Sequence, residues 1–538
     1  MRQRLRTPAA GLFAALSVMI LASLAAAQPK LADQPVRITF TIDAAKNVKP
    51  ISPFIYGANQ KLQGDLSHLT LRRVGGNRWT AYNWTNNASN AGSDYQFQND
   101  GLLQGGEAPG GALLEAIRNT ADSNAALILT VPINGYVSAD KKGDGDVRKS
   151  GADYLETRFR VEMAAKGKPF TLHPDPNSPI VYQDEFVNWV KTTCPYAMTD
   201  PRRPVFFSLD NEPDLWKSTH AEVHPKPLTY AELAQRSIDY ARAIKNVWPT
   251  AKVFGPVNYG WQGFVSLQDA PDASHRDFQE FYLDQMAAAE KLSGKRLLDV
   301  FDVHWYPEAT GNGIRIGAKD TSPPVVAARI QAPRSLWDPT YTETSWITKW
   351  STKGPITLLP RLWSKINRHY PGTALSMTEY NYGGGSDISG AIAEADVLGI
   401  FGQNGLFAAC EWPMGGHEQF IDAGFAMYRN FDGAGGAFGD TSIGAVTSDA
   451  SASSIYASLH HDQKNWMTLV AINKTDHDVP ADFVLQHAGK FSVAMVYQLT
   501  SRAAQPAAGE TVQITTPDRF TYTMPPMSVT TLRLSDGH

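Results

Sequence analysis

Cysteine is almost absent from this sequence: Cys194 and Cys410 are the only two in 538 residues. That excludes a disulfide scaffold and a Cys-rich metal site. An excess of basic residues is missing too. Lys and Arg number 49 against 53 Asp and Glu, a net charge of −4, so nothing here would gather nucleic-acid phosphates. No Gly-x-Gly-x-x-Gly follows an early strand, and neither Gly-x-Ser-x-Gly nor His-Glu-x-x-His occurs. Dinucleotide binding, the serine-hydrolase elbow and the zinc-protease helix are therefore unsupported. Charged residues are scarce at 19% against 43% hydrophobic, which excludes disorder and leaves ample material for a large core.

Long hydrophobic runs are confined to the N-terminus. Arg2, Arg4 and Arg6 precede an apolar stretch from Ala9 to Leu24, and Ala25-Ala26-Ala27 follows. The stretch is shorter than the ~20 residues of a membrane span, and its small-residue ending is what a signal peptidase cleaves. A signal peptide over residues 1–27 and a secreted or periplasmic protein, free of the membrane after cleavage, are expected. A monomer is expected as well.

What the sequence does hold is a series of short apolar runs: Ile55–Asn59, Leu69–Gly75, Ala126–Ile133, Val205–Glu212, Lys252–Val257, Leu298–Tyr306, Ala374–Asn381 and Phe407–Pro413. Helical patterns lie between most of them, at Gly111–Thr120, Gln183–Thr193, Thr229–Val247, Asp277–Leu292, Leu358–Tyr370 and Ile388–Asn404. Continuous apolar strands alternating with helices mean a parallel sheet buried on both faces. Eight of them predict an α/β fold of the (β/α)8 barrel type over residues 49–434. After about residue 435 the pattern changes to runs such as Trp466–Ile472, Phe491–Leu499, Thr511–Thr515 and Ser528–Leu534. These predict a β-sandwich over 435–538. The alternating Val36–Ile42, within 28–48, is expected to join that sandwich.

Polar residues gather at the C-terminal ends of the barrel runs, where barrels assemble their sites. The fourth run ends in Asp210-Asn211-Glu212-Pro213, the sixth in His304-Trp305-Tyr306, the seventh in Thr378-Glu379-Tyr380 and the eighth in Glu411-Trp412. Glu212 alone could be an exposed turn residue, and Glu379 alone a structural ion-pair partner. Together, at the mouths of strands four and seven, they face each other as a glycosidase carboxylate pair would. One protonates the glycosidic oxygen. The other attacks the anomeric carbon if the gap is short, or activates water if it is wide. Asn211 and Arg78 are candidates to position a sugar. His304 or Tyr306 could hold Glu379 in place, or serve as core aromatics. Trp412, with Trp79, Trp84, Trp346 and Trp350, could stack on sugar rings, although burial in the core explains any single one equally well. Asp140, Asp144, Asp146 and Asp153 form an acid-rich loop that is either solvated or a calcium site.

The stretches Val74–Trp84 with Asn86–Asp94, Ser208–Pro213 with Leu215-Trp216, Asp302–Glu308, and Thr378–Gly384 with Ala395–Phe401 resemble glycoside hydrolase family 44, in order and spacing, from about residue 50 onward. The family comprises secreted endo-β-1,4-glucanases and xyloglucanases. The resemblance implies a barrel with a β-sandwich and a retaining mechanism, with Glu212 as acid/base and Glu379 as nucleophile. Tyr380, in the last motif, joins the substrate-binding candidates. A β-1,4-glucan is the implied partner. No cofactor is needed for the chemistry, and a structural calcium, with ligands unassigned, is an expectation. The sequence ends at His538 without a carbohydrate-binding module, so soluble glucans are expected over insoluble cellulose.

Overall fold

The computed structural model describes residues 37–59, 68–317, 319–414, 417–462 and 465–537. The expected signal peptide lies outside them. Eight parallel strands close into a barrel: β1 (Gly57–Asn59), β2 (Leu71–Val74), β3 (Ala126–Val131), β4 (Val205–Leu209), β5 (Val253–Asn258), β6 (Val300–Trp305), β7 (Ala374–Tyr380) and β8 (Ala408–Glu411). Each pairs in parallel with its neighbours in chain order, and β8 returns to β1 through Cys410 opposite Gly57. Helices Gly111–Asp122, Gln183–Thr193, Tyr230–Val247, Phe278–Ser293, Leu358–His369, Ile388–Asn404 and Gln419–Arg429 each follow one strand from β2 to β8. Both cysteines are buried and free.

The period of two along each strand sorts its residues. Leu127, Leu129, Phe207, Leu209, Phe301, Val303, Leu375 and Met377 join the large core shared with the helices. Leu71, Ala126, Ile128, Phe206, Phe254, Val300 and Ala408 form a separate apolar plug, with Phe206 and Phe254 5.5 Å apart between ring centroids. Two residues further along those same strands the plug face turns polar: Arg73, Thr130, Ser208, Asp302 and Ser376, every one of them buried. The barrel interior is thus apolar at one end and polar at the mouth.

Two sheets make the sandwich. One is ordered Gly444–Thr447, Ile38–Asp43, Val479–Gln486, Arg519–Met524. In it Ile38–Asp43 runs antiparallel to Gly444–Thr447 and parallel to Val479–Gln486, so the N-terminal strand completes the C-terminal domain as expected. The other sheet carries Ser453–Leu459, Met467–Asn473, Ser528–Ser535 and Val493–Thr500. Ile38, Phe40 and Ile42 share one core with Leu469, Leu532 and Leu534 across the gap. Against the barrel, Lys474 Nζ meets Asp396 Oδ2 at 2.6 Å, each side chain 1% exposed, and the Tyr456 hydroxyl donates to Asp396 Oδ1 at 2.5 Å.

A small sheet of Tyr136–Ser138, Phe159–Met163 and Ile180–Tyr182 occupies the insertion between β3 and its helix. It was not legible as strands in the sequence, because each piece is short and the intervening residues are polar.

Candidate active site

Arg73 is the hub of the mouth. Its plug-facing position on β2 buries the guanidinium completely, and such a charge must be paired. Nη1 donates to Glu379 Oε1 at 2.6 Å and to Asn59 Oδ1 at 3.1 Å, and Nη2 donates to Asn211 Oδ1 at 2.8 Å. One planar fork therefore ties β1, β4 and β7 together. Gly75 makes room for it, since a Cβ there would lie 2.3 Å from the guanidinium carbon. Arg73 was not among the residues singled out in the sequence. The signal was a lone Arg in phase with Leu71 in a strand otherwise read as core.

Glu379 enters the mouth through a β-bulge. Val303 pairs with Met377, but His304 pairs with Glu379, so Thr378 is an extra residue on β7. A bulge re-aims the side chains that follow it. Thr378 Oγ1 donates to Asp302 Oδ2 at 2.6 Å, and Glu379 also turns inward. The Tyr306 hydroxyl donates to Glu379 Oε2 at 2.7 Å, so both carboxylate oxygens are held.

Glu212 follows β4 on a left-handed backbone. Asp210 has φ 65° and Glu212 φ 46°. Asp210 anchors this turn, accepting from Thr80 Oγ1 at 2.6 Å and from the Ile133 and Asn211 backbone N–H groups at 2.7 and 2.8 Å. It too was missed as a positioning residue. Glu212 Oε1 lies 2.9 Å from His304 Nδ1, and its side chain remains 20% exposed. Burial pushes its carboxyl up to about 7 against the opposing pull of Arg73. Burial also lowers His304 to about 4, so that ring is neutral at neutral pH. Asp214, close by, is raised to about 8, first by burial and then by Glu212.

Glu212, His304 and Glu379 each place a ligand-capable atom within 4.8 Å of the others. They are the one such trio among the described residues. By distance they could hold a cation, but Arg73 and Tyr306 already engage both Glu379 oxygens. The acid-rich loop does not form a cation cage. Arg158 takes Asp140 at 2.8 Å and Asp144 at 2.7 Å, and Asp146 is paired with Arg148 at 2.9 Å. These residues do not fit the expected calcium.

The remaining candidates divide. Asn211 uses its Oδ1 on Arg73 and on the Gly76 N–H, which leaves its amide nitrogen without a protein partner among the described residues. Trp412 packs its ring on Gly76, where a Cβ would come within 2.5 Å of it. That places the indole beside Asn211. Trp346 is exposed and Trp350 is 69% exposed. Three expectations are corrected. Trp84 is in the core against Phe186 and Trp189. Tyr380, one residue past the bulge-aimed Glu379, points outward to Phe401 and donates to Glu394 at 2.7 Å. Arg78 is tied to Asp100 at 2.7 Å, bracing the turn rather than reaching for a ligand. Trp79 packs on Tyr82.

Comparison with known proteins agrees with this geometry. The family model described as glycoside hydrolase family 44 matches residues 88–309. An endoglucanase A of Paenibacillus lautus is 42% identical over 510 residues, 91% of this chain and 71% of that protein. A beta-mannanase/endoglucanase A of Caldicellulosiruptor saccharolyticus is 38% identical over 87% of this chain, which spans 36% of that longer protein. The solved structure of a Paenibacillus polymyxa xyloglucanase with xyloglucan superposes with a TM-score of 0.88 at 42% identity, covering 93% of this chain and all of that one. The chain belongs to glycoside hydrolase family 44.

Proposed function

We propose that this glycoside hydrolase is a retaining endo-β-1,4-glucanase acting on xyloglucan and other soluble β-1,4-glucans. The observation that carries the reading is the carboxylate pair. Glu212 and Glu379 bring oxygens within 4.8 Å of each other, close to the ~5 Å of retaining enzymes and short of the ~6.5–9.5 Å that admits a water between them. Their surroundings differ in the sense the two roles require. Arg73 and Tyr306 donate to the two oxygens of Glu379, and burial raises the Glu212 carboxyl to about 7.

In the first step Glu379 attacks the anomeric carbon, and Glu212 gives its proton to the departing glycosidic oxygen. In the second, the Glu212 carboxylate takes a proton from water, which attacks the anomeric carbon and frees Glu379. No metal enters either step. The free amide nitrogen of Asn211 donates to a sugar hydroxyl, and Trp412, Trp346 and Trp350 offer stacking faces along the chain. Among the described residues no helix is long and apolar enough to cross a membrane. Arg2, Arg4 and Arg6, the apolar Ala9–Leu24 and the small residues Ala25–Ala27 support a secreted enzyme.

The test is NMR of the first product formed on xyloglucan, with viscosity and reducing ends followed on carboxymethylcellulose, lichenan, glucomannan and xylan. A β-anomer appearing first, with viscosity falling ahead of reducing ends on glucans, is expected. An α-anomer would overturn the mechanism, and cleavage confined to glucomannan or xylan would overturn the substrate.

A further inference from the structure

A cavity of about 440 Å³ lies where the barrel meets the sandwich. Such a volume is in the range of small-ligand sites. Much of its wall is apolar, with Ile443, Ala445, Val446, Ile455 and Tyr456 among the lining residues, and a few polar groups are set into it, as in small-ligand sites generally. Trp337 stands at the cavity, 39% exposed, and Asn47, Lys49, Gln403, Asn404 and Ser442 line it. Among the described residues neither the Asn47 side chain nor the Lys49 ammonium has a protein partner. The Gln403 and Asn404 side-chain amide oxygens accept nothing either among the described residues, since both side chains only donate, to the Ala445 and Ile400 carbonyls.

The indole is not a loose surface ring. The turn that carries it is closed by the Trp337 N–H to Arg334 O bond at 3.1 Å and by the Arg334–Asp338 ion pair at 2.8 Å. Gln331 Nε2 ties the same segment to the sandwich through Ser451 O at 2.7 Å. A rigid, half-exposed indole beside the free Asn47 amide, two side-chain amide oxygens that accept nothing and a hydroxyl, with one cation and no acid in the lining, is chemistry suited to a neutral polyhydroxylated ligand. The ring stacks on a sugar face, and the amides exchange hydrogen bonds with its hydroxyls.

The position is remote from the catalytic mouth. Gln403 and Asn404 end the helix Ile388–Asn404, which leaves the mouth after β7 and runs back to the opposite end of the barrel. Lys49 precedes β1 and enters the barrel at that same end. We propose that this cavity is a non-catalytic binding site for a β-glucan segment, holding a polymer whose other segment lies in the catalytic cleft. This rests on the glucan reading above. Because the second contact is made on a chain already bound, it raises the effective concentration of polymer at the cleft and does nothing for a ligand too short to reach both.

The experiment uses the full chain in two forms. In the Glu379→Gln background, titration calorimetry with cellohexaose is expected to give two sites per chain, falling to one when Trp337→Ala is added. In the active enzyme, Trp337→Ala is expected to raise KM on polymeric xyloglucan several-fold while leaving kcat/KM on cellohexaose within about twofold. Asn47→Ala, at an unpartnered side chain, should reproduce the polymer effect more weakly and controls for misfolding of the tryptophan variant. One site per chain with Trp337 present overturns the proposal, as does an unchanged KM on polymer in both variants. Failure of the wild-type enzyme to cleave any glucan would instead overturn the function proposed above.

Discussion

At the scale of single residues, the site separates two glutamates that are chemically identical in the unfolded chain. Glu212 titrates within reach of neutral pH, because burial raises it to about 7. The first step needs its protonated form. Hence kcat/KM should fall as pH rises through about 7, tenfold per unit, and Glu212→Gln should flatten that limb while lowering kcat/KM by about 10²–10⁴-fold. A pH profile of kcat/KM on cellohexaose reads both, because its departing sugar needs the proton. An alkaline limb that persists in Glu212→Gln would assign the titration to another group. On the other carboxylate, Tyr306→Phe removes one hydrogen bond to a charged oxygen without changing shape. Such a bond contributes about 1.5–3 kcal/mol, so kcat/KM should drop roughly 10- to 100-fold with the melting temperature nearly unchanged. A drop below threefold would mean that Arg73 alone holds Glu379.

At the scale of elements, barrel strands and their helices were legible because each is continuous, apolar and bounded by turn residues. Gln183–Thr193 and Ile388–Asn404 even have the observed ends. What periodicity could not supply is a change of phase. The extra Thr378 on β7 is invisible as a pattern, since every residue from Ala374 to Tyr380 could face either way. That one residue decides that Glu379 enters the cleft and Tyr380 leaves it. Trp84 was misplaced for a related reason: an indole carries no mark of whether its partner will be Phe186 or a sugar. The acid-rich loop shows the same limit, because its cation, Arg158, is supplied from within the chain. Chelation should therefore leave the melting temperature unchanged. Arg158→Gln, which leaves Asp140 and Asp144 facing each other, should lower it. Calorimetry with and without EDTA checks both, and a fall in the wild-type midpoint on chelation would restore a metal to this loop or another.

At the scale of the whole molecule, barrel and sandwich are joined by a fully buried ion pair. Removing one partner of such a pair leaves the other charged and unsolvated, at a cost of about 3–5 kcal/mol. Asp396→Ala should therefore lower the unfolding free energy read from denaturant titration by that amount, moving the midpoint down. An unchanged midpoint would mean that the Lys474 ammonium finds water or another partner. The strand Ile38–Asp43 has a consequence of a different kind. Its Arg37 reaches across to Asp482 at 2.6 Å, 445 residues away in sequence, and its parallel partner is Val479–Gln486. On a ribosome adding 5–20 residues per second, the first strand made waits roughly 20–90 s for that partner to exist. Until then its alternating apolar edge is unpaired, which is the state most open to wrong pairing. The sandwich can close only once its last strand, Ser528–Ser535, has emerged, so the barrel is made long before the domain that packs on it, and folding favours a chain whose first strand is kept from other partners until then.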